Sequence, residues 1–397
     1  MRKGWKKVRL GDVIILNYGK ALTSINRKVG TIPVYSSAGI TGFHNDPLVD
    51  SDGIIIGRKG SVGTVYYSPC PFFCIDTAYY ILPSRNYDLK YIYYRLRSLG
   101  LENLNEDSAV PGLNRDTAYN QLFLIPPLSE QRTIALILSA LDDKITLNTK
   151  LNHHLEQMAQ AIFKSWFVDF EPFSDGDFVD SELGEIPVGW RVGILDECID
   201  FFNGYAFKSN ELLDSEEDDC YHVFKMGHIK KGGGFNADGT KSWINRKNCQ
   251  HLEKYLLRYG DILMCMTDMK GNVALLGHTA LMGENNKYVV NQRVGLLRIN
   301  NAFGIDYPFL YTLTNYKDFI ENLRGRANSG VQVNLSTTEI KASKFPLAPK
   351  KINERFNKAT KPLFRAILNN QRESAHLATL RDTLLPRLMS GELSTSK

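Results

Sequence analysis

A seven-residue periodicity occurs twice in this chain, in the same phase and with the same interruption. Ile134, Leu141, Asn148, Leu155 and Ile162 recur every seven residues, and Phe356, Leu363, Asn370, Leu377 and Leu384 repeat the pattern at an offset of 222, with Asn at the third step of both. Apolar residues at that spacing place a seam on a long α-helix. A lone Asn in such a seam costs stability but fixes register. The two stretches are therefore expected to be matched helices that pair in one alignment.

The duplication extends beyond the helices. Gly4, Trp5, Leu10, Gly19 and Ala21 reappear at an offset of 185 as Gly189, Trp190, Leu195, Gly204 and Ala206. A looser match sets Ile54, Ile55, Lys59 and Gly60 against Ile262, Leu263, Lys270 and Gly271, and the offset of 222 relates Leu113 to Leu335 and Pro127 to Pro349. Two copies of one module fill the chain, and the change of offset implies insertions in loops of the second copy.

The plan is globule, long helix, globule, long helix. With 397 residues, 43% of them hydrophobic, there is material for two cores. Strands are expected at Val13–Leu16, Gly53–Gly57, Val62–Tyr67 and Ala78–Leu82, and in the second copy at Asp261–Cys265 and Val294–Ile299, because short β-rich runs there alternate with glycine turns. Tyr87–Gly100 and Tyr307–Leu323 each read as one amphipathic helix. The expected fold class is α+β: two tandem sheet-rich domains separated by two long antiparallel helices, a coiled-coil spacer, in a pseudo-two-fold internal repeat. Expected boundaries are 1–128 for the first domain, 129–170 for the central helix, 171–189 for an acidic linker, 190–349 for the second domain and 350–397 for the last helix.

The first helix is expected to start with Ser129 as N-cap after Pro126 and Pro127, with Glu130 in the first turn. Pro362 and Pro386 should kink or interrupt the second. The apolar run near the basic amino terminus, Val13–Leu16, is too short for a signal-peptide core or a membrane span, which points to a cytoplasmic protein. Six scattered cysteines, of which only Cys70 and Cys74 lie close together, favour free thiols in the cores over a zinc site. The adjacent His153 and His154 read as partly exposed helix residues. Net charge is only +5, but residues 1–50 hold eight Lys or Arg against three Asp, whereas residues 170–190 hold six acidic residues and no basic one. Solvated faces are the plain alternative for both runs.

Two similar surfaces held at a fixed distance suit a ligand that repeats at a fixed distance, such as duplex DNA. A tandem duplication gives the two-fold symmetry common among half-site readers while letting the copies diverge to read non-palindromic halves.

Residues 157–173, QMAQAIFKSWFVDFEPF, together with Gly184–Trp190 and Leu380–Leu393, LRDTLLPRLMSGEL, closely resemble the specificity subunits of type I restriction-modification systems, and the likeness spans the chain. The resemblance implies two target-recognition domains, each reading half of a bipartite DNA site, joined by two helical regions. It further implies a non-catalytic subunit. Its partners would be double-stranded DNA, two modification subunits that methylate adenine with S-adenosylmethionine, and restriction subunits that use ATP and Mg; no cofactor is expected in this chain and no membrane. Consistently, the sequence lacks an Asn-Pro-Pro-aromatic motif, a Gly-x-Gly-x-x-Gly turn and a phosphate loop. Glu339 and Lys341 mimic only the tail of a nuclease motif.

Loops with basic or amide side chains are the candidates for DNA contact. In the first domain these are Arg58, Lys59, Gly60 and Ser61, with Lys20 and the Ser36–Ser37 segment; in the second, Lys208, Lys230 and Lys231, Lys270 with Asn272, and Asn291, Gln292 and Arg293. Any one of these taken alone reads more readily as a solvated lysine or a structural turn, but as a set more than half are expected to lie on the DNA face. Phe163, Trp166 and Phe167 are more apolar than a helix seam requires, so they are expected at the modification-subunit interface, the alternative being packing on the adjacent globule. A stand-alone DNA-binding or scaffold protein would share this plan, and would bind DNA without partners. An enzyme with unfamiliar motifs would show activity alone.

Overall fold

The computed structural model describes residues 4–104, 112–269, 273–329 and 332–394. Contacts divide the chain into two units, residues 1–147 with 376–397, and residues 148–375. Each unit therefore holds one globule and a part of both long helices.

In the first unit the strands are β1 (Lys6–Arg9), β2 (Asn17–Tyr18), β3 (Ile32–Ser36), β4 (Gly39–His44), β5 (Gly53–Gly57), β6 (Val65–Ser68), β7 (Phe73–Cys74), β8 (Ala78–Ile81) and β9 (Leu122–Ile125), with helices α1 (Leu89–Arg97) and α2 (Arg115–Tyr119). A four-stranded sheet runs β2-β8-β5-β6, a three-stranded sheet runs β4-β3-β7, and β1 pairs with β9. Helix α3 (Leu128–Phe167) follows. The central strand β5 is buried along its whole length, since Ile54 and Ile56 face one core and Ile55 the other.

The second unit repeats this plan with additions. After the β10 (Phe178–Ser181) and β11 (Gly184–Pro187) hairpin come β12 (Arg191–Ile194), β13 (Ile199–Asn203), β14 (Leu212–Leu213), β15 (Cys220–Phe224), β16 (Trp243–Asn245), β17 (Ile262–Cys265), β18 (Thr267–Met269), β19 (Thr279–Leu281), β20 (Tyr288–Val290) and β21 (Val294–Ile299). Helices α4 (Tyr307–Thr314) and α5 (Lys317–Gly325), strands β22 (Asn328–Ser329) and β23 (Gln332–Asn334), helix α6 (Thr337–Lys341) and strand β24 (Lys344–Leu347) lead into helix α7 (Lys350–Met389). The sheet β13-β21-β17-β19 matches β2-β8-β5-β6, β12 pairs with β24 as β1 does with β9, and β15 runs parallel to β20 as β3 does to β7. The fold is α+β in two like copies with two long helices.

The helices run antiparallel. In the second unit the buried Asn148 donates from Nδ2 to the Asn370 carbonyl at 3.4 Å, to Glu373 at 2.8 Å and to Ser374 Oγ at 3.3 Å. Asn370 Nδ2 in turn donates to Asn152 Oδ1 at 2.8 Å. The offset of 222 carries Asn148 to Asn370 and Asn152 to Ser374, so the Asn148–Ser374 and Asn370–Asn152 bonds are the same contact made twice, once from each helix. In the first unit Arg381 Nη1 donates to Asp142 at 2.6 Å, and Ile134 shares a core with Leu385, Leu388 and Met389. Leu141, Leu377 and Leu384 are half-buried; Leu155, Ile162 and Leu363 pack partly buried on the second unit's core, where Phe356 is fully buried.

Several expectations are corrected. Val13–Leu16 forms no strand: a 3-10 turn at Leu10–Asp12 leads into it, and pairing begins only at Asn17. Val62 lies in a turn, so that strand starts at Val65. Tyr307–Leu323 is two helices, because Asn315 turns its amide out of the helix to bond Thr279 Oγ1 at 2.7 Å and to accept from Thr279 N at 3.1 Å. The first of them is not amphipathic, since all eight of its residues are buried. Helix α3 starts one residue early, with the Pro127 carbonyl accepting from Gln131 N at 3.0 Å, so Ser129 lies in the first turn rather than at the cap. Helix α7 runs unbroken through Pro362 and Pro386; both are exposed, and the carbonyls they leave unbonded belong to the exposed Lys358 and Asp382. The cysteines are free thiols, but Cys70 is exposed and Cys220 only half-buried.

Candidate DNA interface

In the first unit the loops that leave β2, β3, β5 and β7 converge. Gly19 crosses so close to the 74–78 segment that a Cβ would stand 2.0 Å from the Ile75 carbonyl oxygen, and only glycine fits. Three backbone bonds then fix the frame: Gly19 N to Ala78 O at 3.1 Å, Arg58 N to Thr77 O at 2.9 Å and Leu113 N to Arg58 O at 2.8 Å. On this frame Tyr18, 49% exposed, has two guanidinium groups over its ring, Arg58 with its Cζ 5.1 Å from the ring centroid and Arg115 at 5.4 Å. Arg58 Nη1 also donates to the Asp76 carbonyl at 3.0 Å. Burial, then the neighbouring Tyr18 hydroxyl, pushes the Tyr79 hydroxyl up to about 12, so it stays a neutral donor to the Leu113 carbonyl at 3.1 Å. Lys20, Lys59, Gly60 and Ser61 are exposed at the same loops.

The second unit builds the same frame from different side chains. A Cβ on Gly204 would stand 1.9 Å from the Asn291 carbonyl oxygen. Gly204 N donates to Val294 O at 3.0 Å, Met266 N to Arg293 O at 3.0 Å and Leu335 N to Met266 O at 2.9 Å. These are the three bonds of the first unit, residue for residue. Tyr18 is thereby matched by Asn203, Arg58 by Met266, Thr77 by Arg293 and Arg115 by Thr337. The Tyr18–Arg115 stack is replaced by a hydrogen bond from Thr337 Oγ1 to Asn203 Oδ1 at 3.0 Å. Gln292 and Arg293 are exposed and Asn291 half-buried. Lys208 is exposed nearby, following the Tyr205 and Phe207 pair whose rings lie 5.0 Å apart.

Not every expected residue joins these sites. Ser36 and Ser37 are 7% exposed and serve the turn: Ser36 Oγ accepts from Ala38 N at 3.1 Å, and the Ser37 carbonyl accepts from Thr64 Oγ1 at 2.5 Å. Lys230 and Lys231 are exposed but belong to a turn beside β19, at the sheet edge opposite β13, where Gly234 N bonds Thr279 O at 2.9 Å and Gly233 packs on Asn315. Lys270 and Asn272 lie outside the described residues. The frame matches Lys59 with Thr267 rather than with Lys270, because Arg58 is matched by Met266. Phe163 and Phe167 are 3% and 2% exposed in the second unit's core against Phe309 and Phe356, so they offer no surface to a partner. Trp166 is half-buried beside them, with Arg355 over its ring at 5.7 Å. Their counterparts by the offset of 222, Leu385, Leu388 and Met389, are buried in the first core. Glu339 is paired with Arg326 at 3.3 Å and Lys341 with Asp196 at 2.8 Å.

Among the described residues no group of three or more His, Cys, Asp or Glu could hold a metal ion, and no helix is long and apolar enough to cross a membrane. Sequence reasoning missed Tyr18, Arg115, Asn203 and Thr337. Their signal was position: two sit beside the repeated Gly19 and Gly204, and two follow the repeated Leu113 and Leu335 by two residues.

Comparison with known proteins agrees with this duplicated plan. The family model for the type I restriction modification DNA specificity domain matches residues 2–157 and 187–377. The MjaIX type I restriction enzyme specificity subunit of Methanocaldococcus jannaschii is 26% identical over 353 residues, covering 86% of this chain and 77% of that protein. The HindI specificity subunit of Haemophilus influenzae is 26% identical over 339 residues, 71% of each chain. The crystal structure of a type I restriction-modification S subunit from M. genitalium superposes with a TM-score of 0.59 at 19% identity, covering 97% of this chain and 96% of that one, and shares the fold. With a family model matching most of its length in two blocks, the chain belongs to the type I restriction-modification specificity subunits, which are non-catalytic, DNA-recognising proteins.

Proposed function

We propose that residues 1–128 read one half of a bipartite, asymmetric site in double-stranded DNA and residues 190–349 read the other. The observation that carries this reading is one backbone frame, built twice, with unlike side chains on it. Gly19 and Gly204, and the three backbone bonds beside each, are the same; Tyr18, Arg58 and Arg115 are replaced by Asn203, Met266 and Thr337. Base edges are told apart by side-chain donors and acceptors, while a shared frame only positions them. Two copies that differ in those side chains should prefer different sequences, so the composite site is not a palindrome.

The paired helices set the distance between half-sites and dock two modification subunits, which restriction subunits join. With Phe163 and Phe167 buried, we assign docking to exposed apolar residues of α3: Leu136 and Leu147 in the first unit, Leu151 and Met158 in the second. The chain itself uses no cofactor; S-adenosylmethionine, ATP and Mg belong to the partners, and the complex works in the cytoplasm.

The test is to co-express the chain with the modification subunits of its own system and map N6-methyladenine by single-molecule sequencing. A two-part asymmetric motif with a constant gap is expected. A stable complex that adds no motif would leave a stand-alone DNA-binding or scaffold protein as the better account.

A further inference from the structure

Among the described residues, six that are not glycine have positive φ: Phe170, Asp219, Asn286, Arg293, Asn301 and Phe303. Asp and Asn tolerate this conformation. Phe170 is held in it by burial against Trp190, and the Phe303 ring lies under Arg191 at 5.0 Å. Arg293, at φ 71°, has neither excuse: its side chain is exposed and its guanidinium has no partner among the described residues. Its backbone is nevertheless fixed on every side. Asn291 N bonds Phe224 O at 3.0 Å, Gln292 N bonds Tyr205 O at 2.8 Å, and Arg293 O accepts from Met266 N at 3.0 Å.

Glycine would occupy this position without strain, so the arginine is kept at a cost to stability. Strain of this kind on a rigid loop marks a side chain retained for use. A second observation concerns where the cation sits. Across the matched backbone bond the first unit has Arg58 on the donor side and Thr77 on the acceptor side; the second has Met266 and Arg293. Each copy therefore places one arginine at the same point of the frame, on opposite strands. Thr77 also turns inward, its Oγ1 accepting from Ser37 N at 3.3 Å, which leaves the outward task in the first unit to Arg58.

We propose that Arg293 is a specificity-determining residue: from a rigid, strained loop its guanidinium forms a bidentate pair with O6 and N7 of one guanine in the half-site read by the second domain. The inference rests on the DNA-reading function proposed above. A guanidinium fork matches those two acceptors in the major groove, and a locked backbone keeps the fork from adapting to another base.

The assembled complex with its modification subunits is measured on duplexes carrying the mapped site and every single base-pair replacement in it. Wild type should discriminate roughly 5- to 150-fold against replacement of one G·C pair in the second half. Arg293→Gly should abolish discrimination at that pair alone, keep the first half and the gap, and raise the Tm of the purified chain by roughly 2–4 °C, because glycine relieves the strain. Arg293→Lys should lose most of the discrimination while keeping the charge. An unchanged discrimination profile in Arg293→Gly would sink the proposal. Equal weakening on every duplex would do the same, since that marks a phosphate contact. Failure of the wild-type complex to select any bipartite site would instead count against the function proposed above.

Discussion

At the scale of single residues, polar side chains in the second unit carry most of the testable consequences. His228 is fully buried against Phe224 and Phe235, and its ring centroid lies 4.9 Å from that of His222. Burial, then the neighbouring His222, holds its imidazole down to about 4 from an ordinary 6.5. Above pH 6.5 the ring is neutral whether the chain is folded or not. Between 6.5 and 4 only the unfolded chain takes up the proton, so stability is lost as pH falls through that window, by about 3 kcal/mol from this group. His228→Phe should flatten that loss in urea titrations run from pH 7 to 4.5, while costing about 1 kcal/mol at pH 7 through the lost bond from Lys225 N. An unaltered pH slope would show that other groups set it. The repeat revealed Asn148 and Asn370 because a polar residue inside an apolar heptad stands out. Tyr18 and Arg115 did not stand out, since an aromatic and a cation that meet only after folding leave no local pattern. Ser36 and Ser37 misled for the converse reason: a hydroxyl at a turn serves its own backbone as readily as a phosphate.

At the scale of elements, the long helices were legible because a seven-residue apolar period sustained over five steps fits a long α-helix and neither a strand nor a loop. Their ends and interruptions were less so. Pro362 reads as a break, yet the helix runs through it with the unbonded carbonyl on the exposed Lys358. A proline in a helix interior costs about 3 kcal/mol relative to alanine, so Pro362→Ala should stabilise the second unit by about that much, read as a later urea midpoint for its transition. A gain under about 0.5 kcal/mol would mean that the backbone has already adjusted around the ring. The division of Tyr307–Gly325 into two helices was hidden for another reason: Asn315 is bonded to Thr279, which lies 36 residues earlier. No window of sequence contains both partners. Strand β5 was plain from its buried Ile run, whereas Val13–Leu16 is as apolar and pairs with no strand among the described residues.

At the scale of the whole molecule, the duplication was the most readable property and the most informative. Two copies, two helices and a pseudo-two-fold contact between them all follow from it. It did not show how loops align: the backbone bonds match Arg58 with Met266, and so Lys59 with Thr267. The pairing around Asn148 and Asn370 leads to a prediction about DNA. Seven residues inserted after Leu147 in one helix and after Ala375 in the other would lengthen each by roughly 10 Å, which corresponds to about three base pairs of duplex. Methylation mapping should then return the same two half-sites with a gap widened by about three base pairs. An unwidened gap would mean that the recognition domains, and not the helices, fix the distance.

The first unit closes on residues far along the chain. Gly391 lies against the Trp5 ring, where a Cβ would come within 3.4 Å, and Arg95 Nη1 donates to the Met389 carbonyl at 3.2 Å. During translation the first module of this chain therefore emerges before the second but is completed after it, because its core lacks Leu385, Leu388 and Met389 until the end of α7 has been made. Among the described residues, the core of the second unit draws on nothing after Leu368 and can be complete before then. A ribosome that stalls between Ala375 and Leu385 would release a chain with its second unit folded and its first open. The apolar surface around Ile134 and Trp5 would then be exposed to chaperones and proteases.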